Sequence, residues 1–206
     1  LSENIDMFTG VISSGNTPAL GPVAEELQVL TLFNDGCTDF LFDKAVPNPH
    51  YTFRITNIQS ADGITSAVGA ARAWPEAKRV GSIQPDYSYG RNVHEHFTLA
   101  FQKLVPGAEA ISEAWPKLGT TDFTPHITKL LSDRPDILIC GLWGGDYVAF
   151  YKQALRYGSY VVAKSPIAIF NRDAAKWMGR ERRQEQDRFR QKEQREGRVV
   201  GKPQPT

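Results

Sequence analysis

Four short stretches bring hydroxyls, glycines and aromatic rings together in ways that suit a small polar ligand. The first runs Gly10-Val-Ile-Ser-Ser-Gly-Asn-Thr-Pro18. Ser13 and Ser14 offer hydroxyls, Gly15 permits close backbone approach, and free N–H groups open a helix at Pro18. This arrangement can hold a carboxylate or phosphate, and it is equally an ordinary N-cap cluster. The second stretch is Asn34-Asp-Gly-Cys-Thr-Asp39. It offers the Gly36 backbone, the Thr38 hydroxyl and two carboxylates, or simply a turn. The third, Gln84-Pro-Asp-Tyr-Ser-Tyr-Gly-Arg91, carries two tyrosines that could wall a small ligand. In the fourth, Trp143-Gly-Gly-Asp146, Trp143 supplies a face, Gly144 and Gly145 admit close backbone, and Asp146 would cap a helix.

Covalent and metal chemistry find little support. There is no G-x-S-x-G nucleophile elbow. There is no G-x-x-x-x-G-K-S/T phosphate loop, and the nearest dinucleotide fingerprint lacks its third glycine. The two cysteines, Cys37 and Cys140, rule out a disulfide scaffold and a multi-cysteine zinc site. His94 and His96 lie two apart in a helical pattern and should face solvent in different directions. His126 has no acid or nucleophile partner in view. Neither an enzyme activity nor a cofactor is expected.

The four stretches follow apolar runs that read as strands. Candidates are 5–9, 29–33, 51–56, 79–83, 110–115 and 136–142. Helical periodicity fills most of the gaps. Residues 18–28 place Leu20, Val23, Ala24 and Leu27 on one face. Residues 61–74 do the same with Ile64, Ala67, Val68, Ala71 and Trp74, and 92–104 with Val93, Phe97 and Leu104. Further helices are expected over 124–132, opened by Thr124-Pro125, and over 146–157, with Gly158 as its stop. Such alternation implies parallel sheets covered by helices, and ligands then bind beyond the carboxyl ends of the strands. The long irregular connection from Asn34 to His50 is of a kind that is often functional. A boundary between two α/β lobes falls near Thr56.

The chain has 206 residues and a net charge of +1. That balance hides an asymmetry. Residues 172–206 hold 11 basic and 6 acidic side chains, whereas residues 1–171 hold 13 basic and 17 acidic. Within 180–197 the one apolar residue is Phe189, so this run cannot bury a face. It reads as an exposed tail or as the product of a shifted reading frame. Its mixed signs argue against nucleic-acid binding. The longest apolar stretch, Ile137 to Trp143, is far short of the about 20 residues that cross a membrane. The opening residues do not form a signal peptide, and they read like the middle of an α/β domain.

Taken together and in order, several pieces resemble the type I periplasmic binding proteins. The likeness is to the branched-chain amino acid and amide group of ABC transporter substrate-binding proteins. The pieces are Gly10-Val-Ile-Ser-Ser with Pro18-Ala-Leu-Gly-Pro-Val-Ala-Glu-Glu, Tyr51-Thr-Phe-Arg-Ile-Thr, and Pro85-Asp-Tyr-Ser-Tyr-Gly-Arg. They continue with Gly119-Thr-Thr-Asp-Phe-Thr-Pro, Arg134-Pro-Asp-Ile-Leu, Trp143-Gly-Gly-Asp and Lys152-Gln-Ala-Leu-Arg-Tyr-Gly. The likeness runs from about Ile5 to Gly158 and fades beyond.

The resemblance implies a fold of two doubly wound α/β lobes that close on a ligand, with the first lobe incomplete. Residues 1–56 would belong to the first lobe, 57–163 to the second and 164–206 to a divergent charged tail. It places a carboxylate-holding serine at Ser14, or at Ser13 if the loop slips by one. A backbone-plus-hydroxyl contact maps to Gly36, Cys37 and Thr38. Tyr89 would face the ligand from the second lobe, beside Trp143 and Gly144. Amino-acid-binding members also hold the ligand ammonium with an acid, and the matching stretch 163–170 has none. The implied function is an extracytoplasmic, non-enzymatic solute-binding protein of an ABC importer, with a permease as partner. A cytoplasmic α/β sensor or regulatory domain is the alternative.

Overall fold

In a computed structural model, the structure describes residues 5–156 together with the backbone of Val161–Val162 and Ala168–Asn171. The expected stop at Gly158 and the charged run 172–206 lie outside the described residues. The elements, in chain order, are β1 (Met7–Gly10), α1 (Thr17–Leu27), β2 (Leu30–Phe33), β3 (Thr52–Arg54) and α2 (Gln59–Ala73). They continue with β4 (Arg79–Ile83), α3 (Ser88–Leu104), β5 (Glu109–Ala114), α4 (Thr124–Asp133), β6 (Ile137–Cys140) and α5 (Gly144–Leu155). The last two are β7 (Val161–Val162) and β8 (Ala168–Asn171). The long connection between β2 and β3 contains a single π-helical turn, Leu41–Ala45.

The strands form two sheets. The first has the order β1-β2-β3 and is parallel throughout. The second has the order β5-β4-β6-β8-β7. It is parallel over β5, β4 and β6, and β8 adds to β6 antiparallel. Strand β8 lies past residue 163, where the second lobe was expected to end, and it extends that sheet.

Alternation along β4 and β6 decides what each face of the second sheet buries. Val80, Ile137 and Ile139 pack against α2 and α3, with Ala67, Val93, Phe97 and Phe101. Ile83 and Cys140 point the other way, into Phe123, Ile127, Leu130 and Phe150 of α4, its entry and α5. Two helices on each face make this a closed layered core.

Helix α2 buries only part of the face that its apolar periodicity suggested: Ala67 is buried and Ala71 and Trp74 pack against the core, but Ile64 does not. Ile64 is 44% exposed. The buried residues are Gln59, Asp62, Gly63, Ser66, Ala67 and Ala70. The cause is close approach to α3. A Cβ on Gly63 would stand 2.9 Å from the backbone N of Phe97. Small residues let the two helices meet, and they outrank the larger apolar ones.

Helix α1 departs in another way. Thr17, Gly21 and Ala24 are buried, while Leu20, Val23 and Leu27 are exposed. The first sheet keeps only a small buried cluster of Phe33, Leu41 and Val46. The histidines expected in solvent are instead engaged. His94 Nε2 lies 3.2 Å from Glu113 and the ring packs edge-on against Trp115. His96 Nδ1 pairs with the Asn92 carbonyl at 2.8 Å.

Candidate functional site

The carboxyl ends of β1, β2, β4 and β6 and the first turn of α2 come together. After β1 the chain enters a left-handed turn, with Val11 at φ 65°. The Ser13 carbonyl accepts from Asn16 N–H, and its hydroxyl accepts from Gly15 N–H at 3.3 Å. Ser13 thus shapes the turn. Ser14 points inward and is 3% exposed. Its Oγ lies 3.8 Å from Cys37 Sγ.

The loop after β2 is held from several sides. Gly36 sits at φ +68°, and a Cβ there would come within 2.4 Å of Thr17 Cγ2. Only glycine fits, on both counts. The Gly36 carbonyl accepts from Thr17 Oγ1 at 3.3 Å, which ties the β2 loop to the start of α1. Thr38 is fully buried; its hydroxyl accepts from Phe40 N–H and its carbonyl accepts from Arg54. The Thr38 hydroxyl is therefore engaged within the loop. The thiol of Cys37 faces the site.

The second sheet supplies the aromatic side. A Cβ on Gly15 would touch the Tyr87 ring at 3.9 Å, so the two strand-end loops lie against each other. Trp143 Nε1 donates to the Tyr87 hydroxyl at 3.1 Å. The Tyr87 and Tyr89 rings stack with centroids 6.1 Å apart. Gly144 opens α5 directly after Trp143. Asp146 does not cap this helix. It sits inside the first turn, and its carboxylate accepts from Gly119 N–H at 3.0 Å.

Burial sets the electrostatics. It raises the Cys37 thiol, with Asp62 and Asp35 adding to the rise and the Ser14 hydrogen bond opposing it. Burial likewise raises Tyr89, helped by Asp62 and Cys37, and raises Tyr87 against the Trp143 hydrogen bond. Cys140, deep in the second sheet, is pushed up to about 12. At neutral pH the site therefore presents neutral hydroxyls, a neutral thiol and aromatic faces.

One residue escaped the reading of the sequence. Asp62, in the first turn of α2, is 7% exposed and its Oδ2 lies 4.0 Å from Cys37 Sγ. Its Oδ1 accepts from Asn57 Nδ2. Burial raises its pKa, the Asn57 hydrogen bond opposes, and Asp35 and Asp39 reinforce the rise. The available signal was its spacing from Gly63, Ser66 and Ala70 on a helix face of small residues. A groove of about 370 Å³ lies apart from this cluster. Asp39, Arg54, Ser60, Asn92 and His96 are among its lining residues, and none of the eight candidate residues is.

Two α/β layers whose strand-end loops face each other across a set of hydroxyls and aromatic rings define a class of bilobal binding fold. The chain belongs to the periplasmic binding protein family, whose profile matches residues 1–175. The match continues past Gly158, where the resemblance was expected to fade. No curated protein matches the sequence.

Solved structures agree on the fold. One is an ABC transporter solute-binding protein from R. palustris in complex with benzoate. It has a TM-score of 0.67 and 18% identity over 74% of this chain and 41% of its own. A leucine-binding protein from Thermotoga maritima gives a TM-score of 0.63 and 24% identity, over 76% of this chain and 43% of its own. An amino acid ABC transporter substrate-binding protein from Pseudomonas fluorescens gives 0.64 and 23%, over 73% and 39%. The chain thus spans about two fifths of the length of these structures.

Proposed function

We propose that this chain is part of an extracytoplasmic solute-binding protein that delivers a small carboxylated solute to the permease of an ABC importer. The solute is a branched-chain amino acid, an amide or a similar compound, held between two lobes that meet near Thr56. Ser14 and the backbone from Gly36 to Thr38 take the carboxylate, with Ser13 shaping the turn. Tyr89, Trp143 and Gly144 enclose the apolar body, and Tyr87 joins them. The protein binds and releases its solute without converting it.

The observation that carries this reading is the meeting of four strand ends from two sheets. Ser14 reaches Cys37, Gly15 reaches Tyr87, and Tyr87 reaches Trp143. Neutral donors can bind a carboxylate where a buried lysine is absent. Family membership and relatives that bind benzoate or leucine support the choice of solute class.

Titration calorimetry with leucine and benzoate tests it. Saturable binding is expected, weakened about tenfold or more by Ser14→Ala and by Trp143→Ala. Unchanged affinity in both variants would overturn the site. Recovery of a chemically altered solute would overturn the non-enzymatic reading.

A further inference from the structure

We infer that the groove lined by α3 and the connection between β2 and β3 is a second binding site, and that it takes a small organic cation: a primary ammonium on an apolar body. The inference goes beyond the solute reading above and does not rest on it, because none of the eight candidate residues lines this groove.

At about 370 Å³ the groove is of a size that holds small molecules. The connection between β2 and β3 contributes Phe40, Phe42 and Asp43, and α3 contributes Asn92, Glu95 and His96. Its charge is one-sided. Three carboxylates, Asp39, Asp43 and Glu95, line it against one guanidinium, Arg54. Arg54 is turned to the Thr38 carbonyl and lies 5.2 Å from the centre of the Phe42 ring. Asp39 accepts from the backbone N–H and the hydroxyl of Ser60. Among the described residues, the carboxylates of Asp43 and Glu95 accept no hydrogen bond and have no Lys, Arg or His within 4.0 Å. Even Lys44, next in the chain to Asp43, sits instead over the Phe40 ring at 4.4 Å.

A second, independent observation is Asn92. It is only 8% exposed, yet it lines the groove. Its Nδ2 is committed to Gln59 Oε1 at 3.1 Å, and its Oδ1 has no partner among the described residues. A buried amide oxygen left open in this way calls for a donor. The neighbouring donors are spent. Ser60 Oγ donates to Asp39, and His96 Nδ1 pairs with the Asn92 carbonyl at 2.8 Å. A carbonyl can only accept, so that ring nitrogen carries the proton and the neutral imidazole leaves Nε2 as an acceptor. The open polar groups of Asp43, Asn92, Glu95 and His96 are therefore all acceptors. An ammonium brings three donors, a positive charge and no acceptor. Phe40 and Phe42 supply apolar surface for its body, and aromatic faces attract cations. A metal ion fits less well, because among the described residues no three His, Cys, Asp or Glu side chains are grouped to hold one. An anion would meet two unpaired carboxylates.

The test pairs phenethylamine with 2-phenylethanol, the same skeleton with a neutral hydroxyl in place of the ammonium. Calorimetry at low salt on the full-length wild-type protein is expected to show saturable binding of the amine, at least about tenfold tighter than the alcohol. Added NaCl should weaken the amine. Asp43→Asn combined with Glu95→Gln should weaken it about tenfold or more. Both side chains are exposed, so the double variant leaves the buried core untouched. The wild-type arm does not depend on any variant. Absence of amine binding to the wild type, or equal binding of the alcohol, overturns the inference. So does an amine affinity that survives the double substitution, since the amine would then be bound elsewhere, the cleft included. The cleft reading is decided separately, by leucine and benzoate.

Discussion

Among the described residues, the second sheet is packed on both faces, while the first is packed on one. Around β4 and β6, helices α2 and α3 cover one side and α4 and α5 the other, each with its own buried cluster. The first sheet has α1 and the π-helical turn on one side, over a cluster of Phe33, Leu41 and Val46. Its other side exposes Met7, Leu30, Phe53 and Ile55. Yet the candidate site draws on both. Ser14, Gly36 and Cys37 come from the weaker layer, and Asp62, Tyr87 and Trp143 from the stronger. The aromatic wall stands on a sheet packed on both faces, and the hydroxyl side on one packed on a single face.

The sharpest way to break this contrast is to empty an equivalent volume in each layer. Phe97 and Phe33 are both fully buried. Phe97→Ala removes a ring stacked on Phe101 at 5.4 Å in a core that cannot collapse. It should cost about 3–5 kcal/mol in urea unfolding. Phe33→Ala opens a cavity beside a small cluster that can close over it, at about 2–3 kcal/mol. Equal losses would mean that the two layers are equally well packed.

A smaller effect comes from Asp62, where burial works against the charged form. Its raised pKa means that the folded state holds the proton more tightly than the unfolded chain. Stability therefore increases as pH falls through the folded value toward the unfolded one, and the charged side chain is a burden at neutral pH. Asp62→Asn should raise the melting midpoint at about pH 7, with a gain that shrinks toward about pH 4. A lowered midpoint at neutral pH would show that the carboxylate is well satisfied by its neighbours.

The contrast also explains what could be read from the sequence. All six expected strands and five expected helices are present in order, because alternating β-rich runs and helical periods are strong signals. The strand-end loops were expected from α/β topology, and the stretches that carry Ser14, Cys37 and Trp143 do follow β1, β2 and β6. The buried face of α2 was expected only in part, because its logic is close approach to α3 at Gly63, and the apolar period pointed to Ile64 as well. Asp62 was lost with that face. The sequence offers both Tyr87 and Tyr89 as a ligand wall, and the resemblance favours Tyr89, the ring next to Gly90. Spatially it is Tyr87 that meets both Gly15 and Trp143. Strand β8 had a signal in Ile167-Ala-Ile-Phe, but its antiparallel place beside β6 is a long-range pairing that local pattern does not encode.

The smallest expected effect tests the bare face of the first sheet. Phe53 lies mid-strand in β3, pairs in register with Leu32 and is 49% exposed. Parallel sheets are normally buried on both faces, so an open apolar side on β1, β2 and β3 is unusual. With solvent on that side, Phe53→Ser removes little buried area and should change stability by no more than about 0.5 kcal/mol. The same substitution beneath a covering layer would cost about 2–4 kcal/mol, from the lost transfer term and a cavity. Thermal melts of Phe53→Ser and of Phe33→Ala, side by side, separate the two cases. A near-neutral Phe53→Ser keeps the one-sided picture. A loss matching that of Phe33→Ala would mean that the first sheet is covered as fully as the second.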